Sequence, residues 1–350
     1  MGIRKRQRAK PVSVVINTDY SENLPGGLYR TLNIKMSGTY TGSGAGTNAL
    51  DGPFNLLGRI EFARGEEPII GLHGTDLRHL SAFLQGGHAE ILPASITTSG
   101  SFLAQAELPL DRLISGAAID ARQVQLVGRG RFRGLTNLGT TVTAISTGKL
   151  RLSGETTELP NGDHFEPRFV QSTIDMSATS SDLNTTKRIG NDVELCAGVM
   201  IRTYDASLEL GDPNTSRSDG MIREVRIDLE RNGETQEIGR WSWAELKQMS
   251  TSRWGINAAT GQISTGVVFI SLDDPNTPEL DETLRLQRGD ALIVRVDNAA
   301  TIEDEFTATT PAAGDLAYVS FLNFVPQGPG VEHARRLRYQ AAHANDGRRR

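Results

Sequence analysis

The segment Asp273-Asp274-Pro275-Asn276-Thr277-Pro278-Glu279-Leu280-Asp281-Glu282 is the best candidate in this chain for holding an ion. Calcium takes roughly six to eight oxygen ligands from flexible backbone, and this stretch is rich in them. It lacks the glycine and closing-glutamate spacing of an EF-hand, so a solvated turn is the expected state, with no metal assigned. Asp212-Pro213-Asn214-Thr215-Ser216-Arg217-Ser218-Asp219-Gly220 reads as an exposed loop for the same reason. A cupin-type centre needs clustered histidines with a carboxylate. The histidines His73, His79, His88, His164, His333 and His343 include no H-x-H pair, and the first three flank a helix-like segment as surface or interface residues.

Other catalytic patterns are absent from the sequence. It holds no G-x-S-x-G, H-E-x-x-H, C-x-x-C or P-loop. Gly42-Ser43-Gly44-Ala45-Gly46 has no following Lys-Ser/Thr to grip a phosphate and reads as a hairpin turn. The single cysteine, Cys196, can form neither an internal disulfide nor a thiolate cluster. These residues imply no cofactor and no enzyme.

Charge is more informative. Arg129, Arg131 and Arg133 alternate with Gly130 and Phe132, which would put three guanidinium groups on one face of a strand; pairing with acids of the same body or of a neighbouring subunit is the ordinary expectation. The net charge is −5, yet Arg4, Lys5, Arg6, Arg8 and Lys10 open the chain with no acid among them. Arg335, Arg336, Arg338, Arg348, Arg349 and Arg350 close it against only Glu332 and Asp346. The body between the tails is therefore strongly acidic. Two basic ends can touch an anionic surface, lipid or nucleic acid, although solvated termini are the simpler alternative.

What positions these residues is mostly strand. Glycine is frequent at 37 of 350 residues, and turn dipeptides recur about every ten residues, a spacing that favours many short strands. Leu32, Ile34, Met36 and Tyr40 alternate with polar residues, the period of a half-buried strand. Further strands are expected around 96–106, 123–132, 142–152, 169–176, 192–203, 222–229, 266–272, 283–286, 291–296 and 317–324. Leu50–Leu57 reads as a turn and short helix. Leu77, Leu80, Phe83 and Leu84 have helical spacing, and Ser242-Trp243-Ala244-Glu245 is a capping box opening a second helix. Trp241, Trp243 and Trp254 cluster there as core or interface anchors. No apolar run reaches the roughly 20 residues that span a bilayer, and Val12–Ile16 is too short for a secretory signal.

The chain also repeats itself. Arg59-Ile60-Glu61-Phe62-Ala63-Arg64-Gly65-Glu66 returns 167 positions later as Arg226-Ile227-Asp228-Leu229-Glu230-Arg231-Asn232-Gly233-Glu234, and each copy leads through a glycine, Gly71 or Gly239, into a helix-like segment. Tandem related domains follow. Expected boundaries are a basic arm at 1–11, a first body at 12–158, a linker at 159–168, a second body at 169–327 and a basic tail at 328–350. The fold class is all-β: two tandem jelly-roll sandwiches with short helices in loops.

Residues 24–85 add a resemblance. Leu24-Pro25-Gly26-Gly27-Leu28-Tyr29-Arg30, Leu32-Asn33-Ile34-Lys35-Met36-Ser37-Gly38-Thr39, Asp51-Gly52-Pro53-Phe54-Asn55-Leu56-Leu57 and Arg59-Ile60-Glu61 together resemble the N-terminal domain of double jelly-roll major capsid proteins from tailless, membrane-containing icosahedral phages, of tectivirus and corticovirus type. That resemblance implies two upright jelly rolls per chain and three chains in a pseudo-hexagonal capsomer. It also implies location in the virion after assembly in the host cytoplasm, with penton and minor capsid proteins as further partners. Residues 1–10 would then face anionic lipid of an internal membrane, with nucleic acid as the competing anion. The alternative is a tandem β-sandwich that binds carbohydrate or a receptor in a phage spike, which would need aromatic loop tips; aromatics make up only 6% of this chain.

Overall fold

The computed structural model describes residues 5–46, 51–85, 91–92, 97–157, 163–177, 183–190, 193–205, 217–254, 265–272, 284–298 and 312–328. The first half holds β1 (Lys5–Arg8), β2 (Val12–Ser13), β3 (Asp19–Asn23), β4 (Leu28–Gly42), α1 (Gly52–Asn55), β5 (Arg59–Arg64), β6 (Glu67–His73), α2 (Gly74–Gln85), β7 (Ile91–Leu92), β8 (Ser99–Pro109), β9 (Ile119–Asp120), β10 (Leu126–Arg131) and β11 (Val142–Thr156). The second holds β12 (His164–Asp175), β13 (Leu183–Arg188), β14 (Val193–Tyr204), β15 (Ile222–Arg231), β16 (Glu234–Ser242), α3 (Trp243–Trp254), β17 (Val267–Ser271), β18 (Leu284–Gln287), β19 (Ala291–Asn298) and β20 (Leu316–Gln327).

Strand order identifies the fold. In the first half, β1-β11-β4-β8 faces β3-β10-β5-β6; in the second, β12-β20-β14-β17 faces β13-β19-β15-β16. The two halves repeat strand for strand, and each is a jelly roll of two antiparallel four-stranded sheets. Pairing register repeats as well. The run from Lys149↔Ser37 to Glu155↔Thr31 becomes Leu316↔Tyr204 to Leu322↔Gly198, both strands displaced by 167. The repeated segment found in the sequence is the hairpin β5–β6 in one sandwich and β15–β16 in the other, each running directly into a helix. One detail shifts: Gly71 pairs with Glu61 but Gly239 pairs with Ile227, one position along, because the register irregularities fall at different places.

A parallel pairing of β6 with β12, Ile70 beside Phe169, fuses neighbouring sheets of the two sandwiches into one of nine strands. This fusion explains why β14 and β20 read as nearly continuous apolar runs. Val199, Ile201, Val319 and Phe321 enter the core of the second sandwich, whereas Leu195, Ala197, Met200, Leu322 and Phe324 join the core of the first. Strands buried on both faces lose the polar alternation of half-exposed ones.

Two expected boundaries move. Residues 5–8 of the supposed arm are β1, an edge strand bound to β11 from Lys5↔Thr156 to Arg8↔Ser153. Such a strand needs backbone partners but no apolar face, and charged residues suit an edge. In the stretch expected as linker, β12 already begins at His164. The strands β3, β13 and β16 likewise carry too few apolar residues to stand out. The capping box is present: Ser242 Oγ accepts from the Glu245 N–H at 3.2 Å, and Glu245 Oε2 accepts from the Ser242 N–H at 2.7 Å.

Candidate functional site

Buried charge stitches the two sandwiches together. Asp76, in the first turn of α2, is fully buried and accepts from Arg202 Nε at 2.6 Å and Nη2 at 3.2 Å. Gln171 Nε2 on β12 donates to the same carboxylate at 2.6 Å and to Ser320 Oγ at 3.0 Å. The Arg202 guanidinium lies 4.3 Å from the centroid of the Tyr318 ring, whose edge meets His73. Burial alone would raise the Asp76 pKa, but Arg202 outweighs it and holds the carboxyl below its usual range.

A second cluster centres on Glu166 of β12, which is completely buried. It accepts from Arg64 of the first sandwich at 2.6 and 3.1 Å and from Arg168 at 2.9 Å; Arg168 also reaches Glu67 at 3.0 Å. In a third, Asp51 contacts Arg78, His79 and, at 3.3 Å, Arg217 from the second sandwich. Burial opposes ionisation of Asp51, yet Arg217, His79 and Arg78 hold its pKa well below normal. Burial also pushes His79 down to about 3 against the pull of Asp51, so the ring is neutral and its Nε2 can accept from Arg217. His73 and His79 are thus interface residues within one chain.

The outward face of the first sandwich is different. Lys35, Lys149 and Arg151 are exposed on β4 and β11, beside Arg6 and Arg8 of β1. Cross-strand pairing puts them on one face: Arg151 opposite Lys35, Arg8 opposite Ser153, Arg6 opposite Glu155. None of these five cations forms an ion pair among the described residues; Lys149 Nζ donates instead to Ser13 Oγ. By contrast, Arg129 pairs with Glu61 at 3.1 Å and Arg131 lies 3.9 Å from Asp19, both within the same sandwich, while Arg133 lies beyond the end of β10.

Of the basic residues expected to act together, Arg6, Arg8 and Lys10 are exposed and Lys5 opens β1. Arg4 and all six C-terminal arginines lie outside the described residues, as do the acidic loop at 273–282 and residues 211–216 of the other polar loop. Sequence reading missed Lys35, Lys149 and Arg151 because they join the patch through register between distant strands. Of the tryptophans, Trp243 is buried, with Nε1 donating to Asp219 Oδ1 at 2.9 Å, and Trp241 packs against the second core. No cluster of three metal-ligating side chains occurs among the described residues.

Topology and seam together define the class: a double jelly roll, two sandwiches locked into one unit through a shared sheet. No protein-family model matches the sequence, and no curated protein does. Solved structures do match. The chain is similar to the STIV MCP, from Sulfolobus Turreted Icosahedral Virus, with a TM-score of 0.70 at 13% identity, covering 93% of this chain and 97% of that one. It is similar to the PBCV-1 virus capsid chain (TM-score 0.61, 11% identity, 93% and 94% covered). It is also similar to the major capsid protein of Bacteriophage PM2 (TM-score 0.54, 8% identity, 93% and 98% covered). At such identities the likeness establishes the double jelly-roll fold.

Proposed function

We propose that this chain is the major capsid protein of an icosahedral virus, built as a homotrimer whose six jelly rolls form a pseudo-hexagonal capsomer. The observation that carries this reading is the repetition of strand order in the two sandwiches, with the β11–β4 register returning in β20–β14. Three such chains offer six nearly equivalent units under threefold symmetry, so one closed oligomer presents near-sixfold edges to its neighbours. Many weak contacts between capsomers then hold the shell together. Large exposed apolar side chains among the described residues are Val15, Val124, Val170 and Met249, none of them aromatic, so the described residues offer the carbohydrate-binding alternative no aromatic platform.

The similar chains come from viruses with different hosts, so the bacteriophage assignment and an internal membrane are the finer part of the proposal. In that version the sequence expectation is lipid at residues 1–10, with the C-terminal arginines as a second contact; because residues 5–8 are paired into a sheet edge, we assign the anionic headgroups inside the shell to the second contact, Arg335 to Arg350. Light scattering after size exclusion should give a trimer, and electron microscopy of the same material should show hexagonal particles or shells. A strictly monomeric protein at micromolar concentration would defeat the capsid reading. Sedimentation with anionic but not neutral vesicles, lost on removing residues 329–350, is the expected result for the lipid contact; binding to nucleic acid alone would assign the tail to the genome.

A further inference from the structure

We propose that the basic face of the first sandwich is an intermolecular copy of the seam inside the chain, and that it receives β16 and the start of α3 from a second copy of the same protein. The inference rests on the capsid reading only for the closure of three copies into a ring. Its residues come from the internal repeat.

The shared register fixes which positions correspond. In the second sandwich, Gln171 lies opposite Ser320 and Arg202 opposite Tyr318; in the first, Arg8 lies opposite Ser153 and Lys35 opposite Arg151. Arg8, Lys35 and Arg151 therefore occupy the places of Gln171 and Arg202, which bind Asp76, and of Tyr318, whose ring packs on Arg202. By the same register Lys5, opposite Thr156, stands where Arg168 stands opposite Asn323.

The docking side corresponds as well. Asp76 and Glu245 are each the third residue of a helix that follows directly from a hairpin, and Glu67 and Glu234 each open the second strand of that hairpin. Inside the chain the contacts are Arg202 with Asp76 and Arg168 with Glu67. Between copies they become the Lys35, Arg8 and Arg151 cluster with Glu245, and the Lys5 position with the Glu234 position. Opposite charges meet at both. Glu245 is exposed, and the capping box uses only one of its carboxylate oxygens, leaving the other to accept.

Two further features mark the surfaces as unfilled. Where β6 and β12 bridge, their counterparts β16 and β1 each end a sheet with no strand beyond them among the described residues. The helix α2 is buried along nearly its whole length between the sandwiches, whereas α3 exposes Glu245, Gln248 and Met249. Apolar seam residues are also replaced: Phe169, Met200 and Leu322 have Arg6, Asn33 and Glu155 as counterparts. A seam formed at folding can be apolar. One that must stay soluble until partners meet is better polar, as at the rims of separable interfaces. An anionic membrane would account for the cations but not for acids at the two corresponding places on β16 and α3.

The test measures trimer dissociation of the full chain by light scattering over a dilution series, for wild type, Lys35→Glu, Glu245→Lys and the double variant, with folding followed by circular dichroism. Each single reversal should weaken the trimer at least about tenfold, and the double variant should recover much of the loss. A wild-type trimer indifferent to both reversals, or folded single and double variants that dissociate alike, overturns the seam while leaving the capsid reading intact. A monomeric wild type sinks both. If Lys35→Glu abolishes binding to phosphatidylglycerol vesicles without weakening the trimer, the face belongs to lipid and the seam is wrong.

Discussion

At the junction of the sandwiches His79 is buried and His73 is partly buried, and the consequence is measurable. His79 is held down to about 3, chiefly by burial, with Asp51 raising it and Arg217 and Arg78 lowering it. His73 is held down to about 4, again by burial, with Asp76 opposing and Arg202, Arg133 and Arg59 reinforcing. An unfolded histidine titrates near 6.5, so between about pH 6.5 and 4 the unfolded chain binds protons that the native chain refuses. Stability therefore falls with falling pH across that window, by up to about 1.4 kcal/mol per pH unit for each ring. The depressed Asp51 and Asp76 act lower: their contribution is complete above about pH 3.9 and is lost as pH falls through their folded values. His73→Phe keeps a ring against Tyr318 and removes one titration. Urea unfolding at several pH values should show roughly half the slope for this variant; an unchanged slope would rule His73 out as an acid-sensitive group. None of this was legible in the sequence. Asp76 and Arg202 are 126 residues apart, and neither lies in a motif that announces its partner.

At the scale of elements, the hairpin–helix unit was the most legible feature, because its turns and charges repeat at one spacing. Both turns are two-residue loops closed by Arg64↔Glu67 and Arg231↔Glu234. Gly65 has φ 62°, and Asn232 and Gly233 have φ 55° and 81°, values that suit the mirror-image turns joining twisted strands. A Cβ at either glycine would meet nothing within 4 Å, so the cost of substitution is backbone strain alone. Gly65→Val and Gly233→Val should therefore each destabilise by about 1–2 kcal/mol. Denaturant midpoints decide this; an unchanged midpoint for either variant would mean that its turn does not depend on the positive φ of that glycine. Strands that evaded sequence reading share one property. β1 (KRQR) and β13 (LNTTKR) have almost no apolar residues and are held at sheet edges by backbone pairing. Periodicity detects a buried face, and these strands have hardly any to detect.

At the scale of the whole chain, the duplicated domains are not two independent folding units. The core of the first sandwich takes in Phe169, Leu195, Ala197, Met200, Val267, Phe269, Leu322 and Phe324 from the second, and Phe83 of α2 stacks near Phe269 with ring centroids 5.5 Å apart. Separating the sandwiches would expose this apolar surface and strand the charges of Glu166, Asp76 and Arg202. Breaking one such buried pair costs about 3–5 kcal/mol, a large share of the roughly 5–15 kcal/mol that stabilises a domain. Each half thus depends on the other, and the full chain should unfold in one cooperative step despite its two cores. Differential scanning calorimetry on dissociated protein tests this through the ratio of calorimetric to van't Hoff enthalpy, which should lie near one. Asp76→Ala leaves Arg202 buried without its carboxylate and should lower the melting temperature of that single transition. If it instead splits the transition in two, or if wild type already melts in two steps, the seam couples the sandwiches more weakly than its buried charges and shared core require.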